Sequence, residues 1–491
     1  MRLTILLVPL ILVFLSCEIK QNSPENSSNI IISIIEPENG SIISDTMLIE
    51  CATSNDKSIV KVELWFDGDS TAIQDLSIPF TLILDSRNYE NGFHNFFVKA
   101  YDNQGNIYDS ETITIKIHNF FVFSKTYGAE NINEIGRSIL QNSDSSFIIL
   151  GGVGDDILLY KSDRQGNIEW EQSFGGSQMD EANHITKTTD GGYIISGTTK
   201  SYGLGGSDIW LIKTDISGSI EWNTYLGTTH DDHAGKVIET SDGGFLIIGD
   251  KHNIENGHND IWLIKTNSQG DSLWTKTYGD EESDYGADLL AHEDGGFIIL
   301  GSTESTGNGG KDIWIIKIDT DGNEEWNKTY GDGSNDMGQS IIKTYDNGFI
   351  IRYVIQSYGQ GNTSVGLLRL SANGDQLWTK TIGGSNGISG SSIQRIGDDE
   401  YIMACSLFDN GENTYDAYMI KINDSGDILW DATFGAQEND HGMGIIKTLD
   451  NGFIIIGSTN NFGNGNKNSS DVWIIKTNSN GFTTSFEFYG I

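Results

Sequence analysis

Beyond its first 29 residues the chain is written in short apolar runs, alternating with polar positions at a period of two and broken by Gly, Asp and Asn. That pattern predicts strands joined by tight turns. Much of the chain also keeps a fixed clock. Trp170, Trp222, Trp274, Trp326, Trp378 and Trp430 stand 52 residues apart. Asp190, Asp242, Asp294, Asp346, Asp398 and Asp450 keep the same step, and each opens a turn, in most copies Asp-Gly-Gly or Asp-Asn-Gly. One period contains a first strand such as Ser340 to Thr344 and a second such as Phe297 to Thr303, which runs into a Gly-rich loop (Glu304 to Gly310). A third strand (Asp312 to Lys317), a turn (Asp319 to Gly322) and a fourth strand (Glu324 to Tyr330) complete it. Each repeat therefore supplies four strands.

A repeat of about 40–55 residues filled with four short strands predicts blades of a β-propeller. The second-strand signal begins at Phe147, Tyr193, Phe245, Phe297, Phe349, Tyr401 and Phe453, which makes seven blades over residues 119–491. The fourth-strand signal has two further copies, Phe123 to Gly128 and Phe486 to Gly490. A ring must pair its last blade with its first, and either terminal strand could complete the seventh. From 30 to 118, strands every 10–15 residues predict a small antiparallel β-sandwich. The expected fold class is all-β, a sandwich followed by a seven-bladed β-propeller of four-stranded blades.

Arg2, an apolar run from Leu3 to Leu15, Ser16 and Cys17 open the chain. The run is too short for a spanning anchor. Phe14-Leu15-Ser16-Cys17 resembles the bacterial lipobox, with Phe14 and Leu15 departing from its usual choices. The resemblance implies a lipoprotein signal peptide over 1–17 and lipidation of Cys17, followed by a polar flexible tether over 18–29. The sandwich resembles bacterial immunoglobulin-like domains at Pro37 to Gly40, Val60 to Gly68 with Trp65, Asn91 to His94 and Ala100 to Asn106. It implies a spacer. The 52-residue repeat resembles the β-propeller repeats of bacterial envelope proteins through its Trp, Gly-Gly, Asp and Asp-Gly-Gly-Phe-Ile-Ile-Gly-Ser-Thr positions. Two enzyme comparisons fail: Asp215, Gly218 and Trp222 miss the quinoprotein docking spacing, and the seven-residue step from Asp215 to Trp222 misses the sialidase Asp-box.

Lys and Arg total 30 against 69 Asp and Glu, a net charge of −39. Such a surface repels nucleic acid and anionic lipid and favours cations or basic partners. Of the three cysteines, Cys51 and Cys405 lie in different units, so no disulfide framework is expected.

Two sets of acidic residues recur near one end of the blades. The first is Glu134, Asp180, Asp232, Asp284, Asp336 and Asp440, broken by Ile388; the second is Asp156, Asp208, Asp260, Asp312, Asp416 and Asp471, broken by Ser364. They read either as a cation-binding funnel or as turn residues that each accept backbone N–H bonds. The neighbouring exceptions point to structural coupling between the sets. His230, His233, His252 and His258 cluster in the loops of blade three and form a candidate metal site. No other cofactor is expected, and no catalytic set stands apart from the repeat. The reading is a non-catalytic lipoprotein of the cell envelope, in the outer membrane and facing the periplasm or the surface. Its lipid anchor is its only membrane contact, and it is a monomer outside any assembly. The propeller presents a binding face for a protein or glycan on the side of the longer loops. The alternatives are a polysaccharide-active enzyme on that face, or a structural part of an outer-membrane assembly.

Overall fold

A computed structural model describes residues 30–482, apart from 44–45, 55–57, 90–91, 118–121, 357–362, 384–386, 410–412 and 464–468. The expected signal peptide, Cys17, the tether and the strand Phe486 to Gly490 lie outside the described residues. The described chain is all-β, with one short 3-10 turn at Ser86–Asn88, and none of its helices is long and apolar enough to cross a membrane. It divides into two compact units between Asn119 and Phe120.

In the N-terminal unit, a three-stranded sheet orders Ile32–Glu36, Thr46–Thr53 and Thr81–Asp85. A second sheet orders Ile42–Ile43, Ile113–Ile117, Gly92–Asp102, Ile59–Phe66 and Asp69–Asp75, with Ile107–Asp109 also paired to Gly92–Asp102. Alternating side chains of both sheets make one core, including Met47, Ile49, Val62, Leu64, Phe96 and Val98. Cys51 is buried and free, a small core residue.

The C-terminal unit contains seven four-stranded antiparallel sheets among the described residues. In the first six sheets the strands follow chain order; Asp180–Lys187, Tyr193–Thr199, Asp208–Thr214 and Ile220–Leu226 form the second sheet. The pattern explains the layering. Tyr193–Thr199 and Asp208–Thr214 are buried at every position, because both faces of the inner strands meet neighbouring sheets. The fourth strand Ile220–Leu226 alternates exposed and half-buried, as an edge strand with one wet face does.

The seventh sheet is assembled from both ends of the unit. Its order is Phe123–Tyr127, Asp471–Thr477, Phe453–Thr459 and Asp440–Lys447, with Lys125 opposite Ile474. The N-terminal strand thus takes the fourth-strand position, settling a choice the sequence left open. Each sheet shares a buried apolar cluster with the next. The seventh shares one with the first, in which Ile454, Ile456, Val472 and Ile474 meet Ile139, Phe147, Ile149 and Leu158.

The 52-residue tryptophans are half-buried, and their role is positional. Trp170 covers Gly218 in the third-to-fourth turn of the next sheet, at φ +78°, where a side chain would be strained and would strike the indole. The same contact recurs from Trp222 to Gly270 and from Trp430 to Gly481. Phe123 makes it to Gly166 of the first sheet, so the N-terminal strand stands in for the missing tryptophan strand. Tyr127 Oη donates to the Gly166 carbonyl at 2.7 Å, as Tyr278 does to Gly322 at 2.7 Å. The third-strand tryptophans Trp210, Trp262, Trp314 and Trp473 are the deeply buried set. In the fifth sheet Gly366 replaces this tryptophan, and its cross-strand partner Tyr353 fills the space where Gly301 faces Trp314 in the fourth. The swap conserves volume in the core.

Candidate functional site

The two acidic sets meet. At the start of each third strand an Asp points toward the glycine that ends the fourth strand, and the acid opening the next sheet approaches the same glycine. Asp260 and Asp284 flank Gly279, Asp312 and Asp336 flank Gly331, Asp416 and Asp440 flank Gly435, and Asp471 and Glu134 flank Gly128. Ser364 and Ile388, the two exceptions, fall at the junction of sheets five and six, where Ser364 faces Gly383. They are lost together because they share one junction.

These carboxylates do not line an open funnel. Asp232, Asp284 and Asp440 are fully buried, and Glu134, Asp180 and Asp336 nearly so. One oxygen of each serves its own turn: Asp180 accepts from the Gly176 N–H at 2.8 Å, Asp232 from Thr228 at 2.5 Å, Asp284 from Asp280 at 3.2 Å and Asp440 from Ala436 at 3.0 Å. In the second set Asp208 and Asp312 accept from Leu204 at 2.9 Å and Asn308 at 2.7 Å. In Asp208, Asp232, Asp260, Asp284 and Asp312 the other oxygen, Oδ1, is buried with no hydrogen-bond partner, whereas Asp180 Oδ1 accepts from the Thr199 hydroxyl. Burial, reinforced by Asp471, pushes Glu134 up to about 7, and burial with Asp416 pushes Asp440 up to about 6. Asp208, Asp232, Asp284, Asp312 and Asp336 move in the same direction, burial being the main cause in each.

The repeated Asp of the Asp-Gly-Gly turn is structural and shifts the other way. Asp190 takes the Thr188 hydroxyl at 2.5 Å and the buried Lys213 ammonium at 2.9 Å, which hold it down at about 2. Lys265 does the same for Asp242, and Arg369 for Asp346.

Together these shifts set a stability profile. The fold keeps the Glu134 proton up to about 7, whereas an unfolded chain releases it near 4.5, so the folded state binds more protons in between and stability falls as pH rises through that window. The turn aspartates act oppositely, their contribution being lost as pH falls from near 3.8 toward about 2. Thermal melting should therefore peak near pH 4 and decline toward pH 7. Glu134→Gln should flatten the decline, and an unchanged slope would refute this assignment.

A second feature is a cavity of about 500 Å³ lined by the first strands of all seven sheets. Every one of those strands carries a register shift, for example between Gly136 and Ser138, Ala182 and His184, and Gly286 and Asp288. Such β-bulges turn side chains out of the ladder, often beside functional sites. Here they aim positions that differ between repeats: Arg137, Asn183, Ala287, Gln339 and Met443, followed by Ser138, His184, Lys236, Asp288, Ser340 and Ser392. Lys236 pairs with Asp288 at 2.7 Å, and Asp288 accepts the Ser340 hydroxyl at 3.2 Å and the Ile341 N–H at 2.9 Å. Burial, then Lys236, pushes His184 down to about 3, so it is neutral at pH 7. These residues escape a reading that seeks constancy. The signal that finds them is variation at one offset of an otherwise regular repeat.

Residues 31–98 match the bacterial Ig domain family. No curated protein matches the chain. Among solved structures, the fibronectin(III)-like modules of Clostridium thermocellum CbhA are 17% identical, with 18% of this chain and 94% of that one covered at TM-score 0.17. An α-L-arabinofuranosidase from Fusarium graminearum is 10% identical, covering 60% of this chain and 93% of that one at TM-score 0.40. Drosophila Plexin A in complex with Semaphorin 1b is 7% identical, covering 73% and 87% at TM-score 0.41.

The histidines divide into separate pairs. His230 stacks on His252 with ring centroids 5.3 Å apart, His233 meets Asp250 at 3.3 Å, and His258 meets Glu282 at 3.7 Å. Asp250 raises the His233 pKa. Among the described residues no three His, Cys, Asp or Glu side chains are grouped as a metal ion would need. On the long-loop end, Lys200, Ser201, Tyr202, Gln178 and Asp231 border an open cleft of about 430 Å³.

Proposed function

We propose that this is a lipid-anchored protein of the cell envelope whose C-terminal unit is a closed seven-bladed β-propeller, presenting a non-catalytic binding face to a protein or glycan. The seventh sheet carries the reading: it joins the first strand of the unit to its last three and packs against the first sheet. Pairing the last sheet with the first strand leaves only the short outer edges of the blades, so the unit is a rigid platform whose loops are free to vary. The Gly-rich loops and the cleft beside Lys200 supply polar contacts on one end, and the Ig domain serves as a spacer. Cys17 carries the lipid, tethering the mature chain through 18–29.

Gentle extraction from native membranes, followed by mass spectrometry of co-purifying proteins and glycans, tests this. The full chain should fractionate with the outer membrane and bring a stoichiometric partner, and Cys17→Ala should release it into the soluble fraction. A Cys17→Ala chain that stays membrane-bound would refute the anchor. A bare protein with hydrolytic activity on envelope polysaccharide would replace binding by catalysis.

A further inference from the structure

The channel cavity sets itself apart from the acidic protein around it. Its titratable lining consists of Arg137, His184, Lys236 and Asp288. With His184 neutral and Lys236 neutralised by Asp288, one positive charge remains, on Arg137. Arg137 forms no ion pair among the described residues and is exposed where it lines the cavity. In a chain of net charge −39, an exposed arginine among the lining residues of a cavity is a local inversion of sign. The neutral lining is rich in groups that pair with hydroxyls: Asn183, Gln339 and Gln394 amides, and Ser138, Ser340 and Ser392 hydroxyls. Lys236, held by Asp288, adds a further donor. The volume falls within the range of small-molecule sites, roughly 300–1,000 Å³.

We propose that this cavity binds a small polyhydroxylated monoanion of the sugar-acid class, a uronate, with Arg137 taking the carboxylate and the amides, serines and Lys236 taking the hydroxyls. The planar guanidinium matches a carboxylate through two parallel hydrogen bonds. The bulges explain why the site is asymmetric on a symmetric scaffold: each repeat contributes a re-aimed position, and those positions diverge. The proposal rests on the ligand-binding reading above and narrows it to a glycan acid in the channel.

Calorimetric titration of the detergent-extracted full chain with D-glucuronate, D-glucose and acetate tests it. Glucuronate should bind at one site at least about tenfold tighter than either, the worth of one hydrogen-bonded charge. Arg137→Ala should bring glucuronate down to the affinity of glucose, with the melting temperature unchanged because the side chain is exposed. Arg137→Lys, which keeps the charge without the fork, should fall between. Glucuronate binding no tighter than glucose overturns the proposal, as does an Arg137→Ala chain that binds it normally. If a partner co-purifies while glucuronate fails to bind, this inference falls and the binding-platform reading stands.

Discussion

Replacing Arg352 with leucine is expected to stabilise the C-terminal unit by about 1–4 kcal/mol, the range seen when buried charges give way to apolar groups. Arg352 is fully buried in the second strand of the fifth sheet, and Nε, Nη1 and Nη2 have no hydrogen-bond partner. Its equivalents in the other sheets are Leu150, Ser196, Ile248, Leu300, Ala404 and Ile456. Nη1 and the Cys405 thiol both abut the backbone of Gly390, so the cation lies in an apolar wall against a buried thiol. Burial pushes the guanidinium down to about 10, a measure of how poorly the site accepts its charge. This is also the junction that lost both carboxylates, at Ser364 and Ile388. Denaturant unfolding at constant slope reads the gain. A loss of stability in Arg352→Leu would mean that the guanidinium is held by a compensating group.

Gly227→Ala is expected to cost about 3 kcal/mol, summing overpacking and a strained buried hydrogen bond. A Cβ there would overlap Oδ1 of Asp208 and approach its Cγ to 2.6 Å. The carboxylate cannot retreat, because Gly203 closes its other side and the Leu204 N–H holds Oδ2 at 2.9 Å. Gly227 is not in the left-handed region, so the cost is steric. Asp208→Ser, copying Ser364, should relieve it. The double variant should then lose at least about 1 kcal/mol less than the two single losses added together, since residues in contact couple. Additive losses would show that the two do not share the junction.

The repeat made the architecture readable. A constant step of tryptophans, turn aspartates and four strand signals is a redundant message, and the seven four-stranded sheets follow it. The coupling of the acidic sets was also legible, because Ser364 and Ile388 broke both in adjacent repeats. Which terminal strand completes the seventh sheet was not, since both ends carry the fourth-strand signal. The pairing of Phe123–Tyr127 with Asp471–Thr477 distinguishes the N-terminal one, and a pairing between the two ends of the unit leaves no local trace. The burial of the carboxylates was hidden as well: polar Asp beside Gly reads as a wet turn, yet neighbouring sheets cover it. Arg352 was not legible because Phe349-Ile350-Ile351 reads as a complete short apolar strand, which a charged residue would end. The cavity residues carry no constant signal, because the residue at their offset varies from repeat to repeat.

The central claim is that the first strand of the C-terminal unit locks its last sheet. Hydrogen exchange on the intact chain and on a Ser124→Pro, Thr126→Pro variant tests it most directly, because proline removes backbone donors from that ladder. In the intact chain, amides of 123–127 and 471–477 should be protected together, at a level close to that of the inner strands of the other sheets. In the variant, protection of 471–477 should collapse and the unit should melt at lower temperature. Free exchange of 123–127 in the intact chain, or unchanged protection of 471–477 in the variant, would contradict the closure.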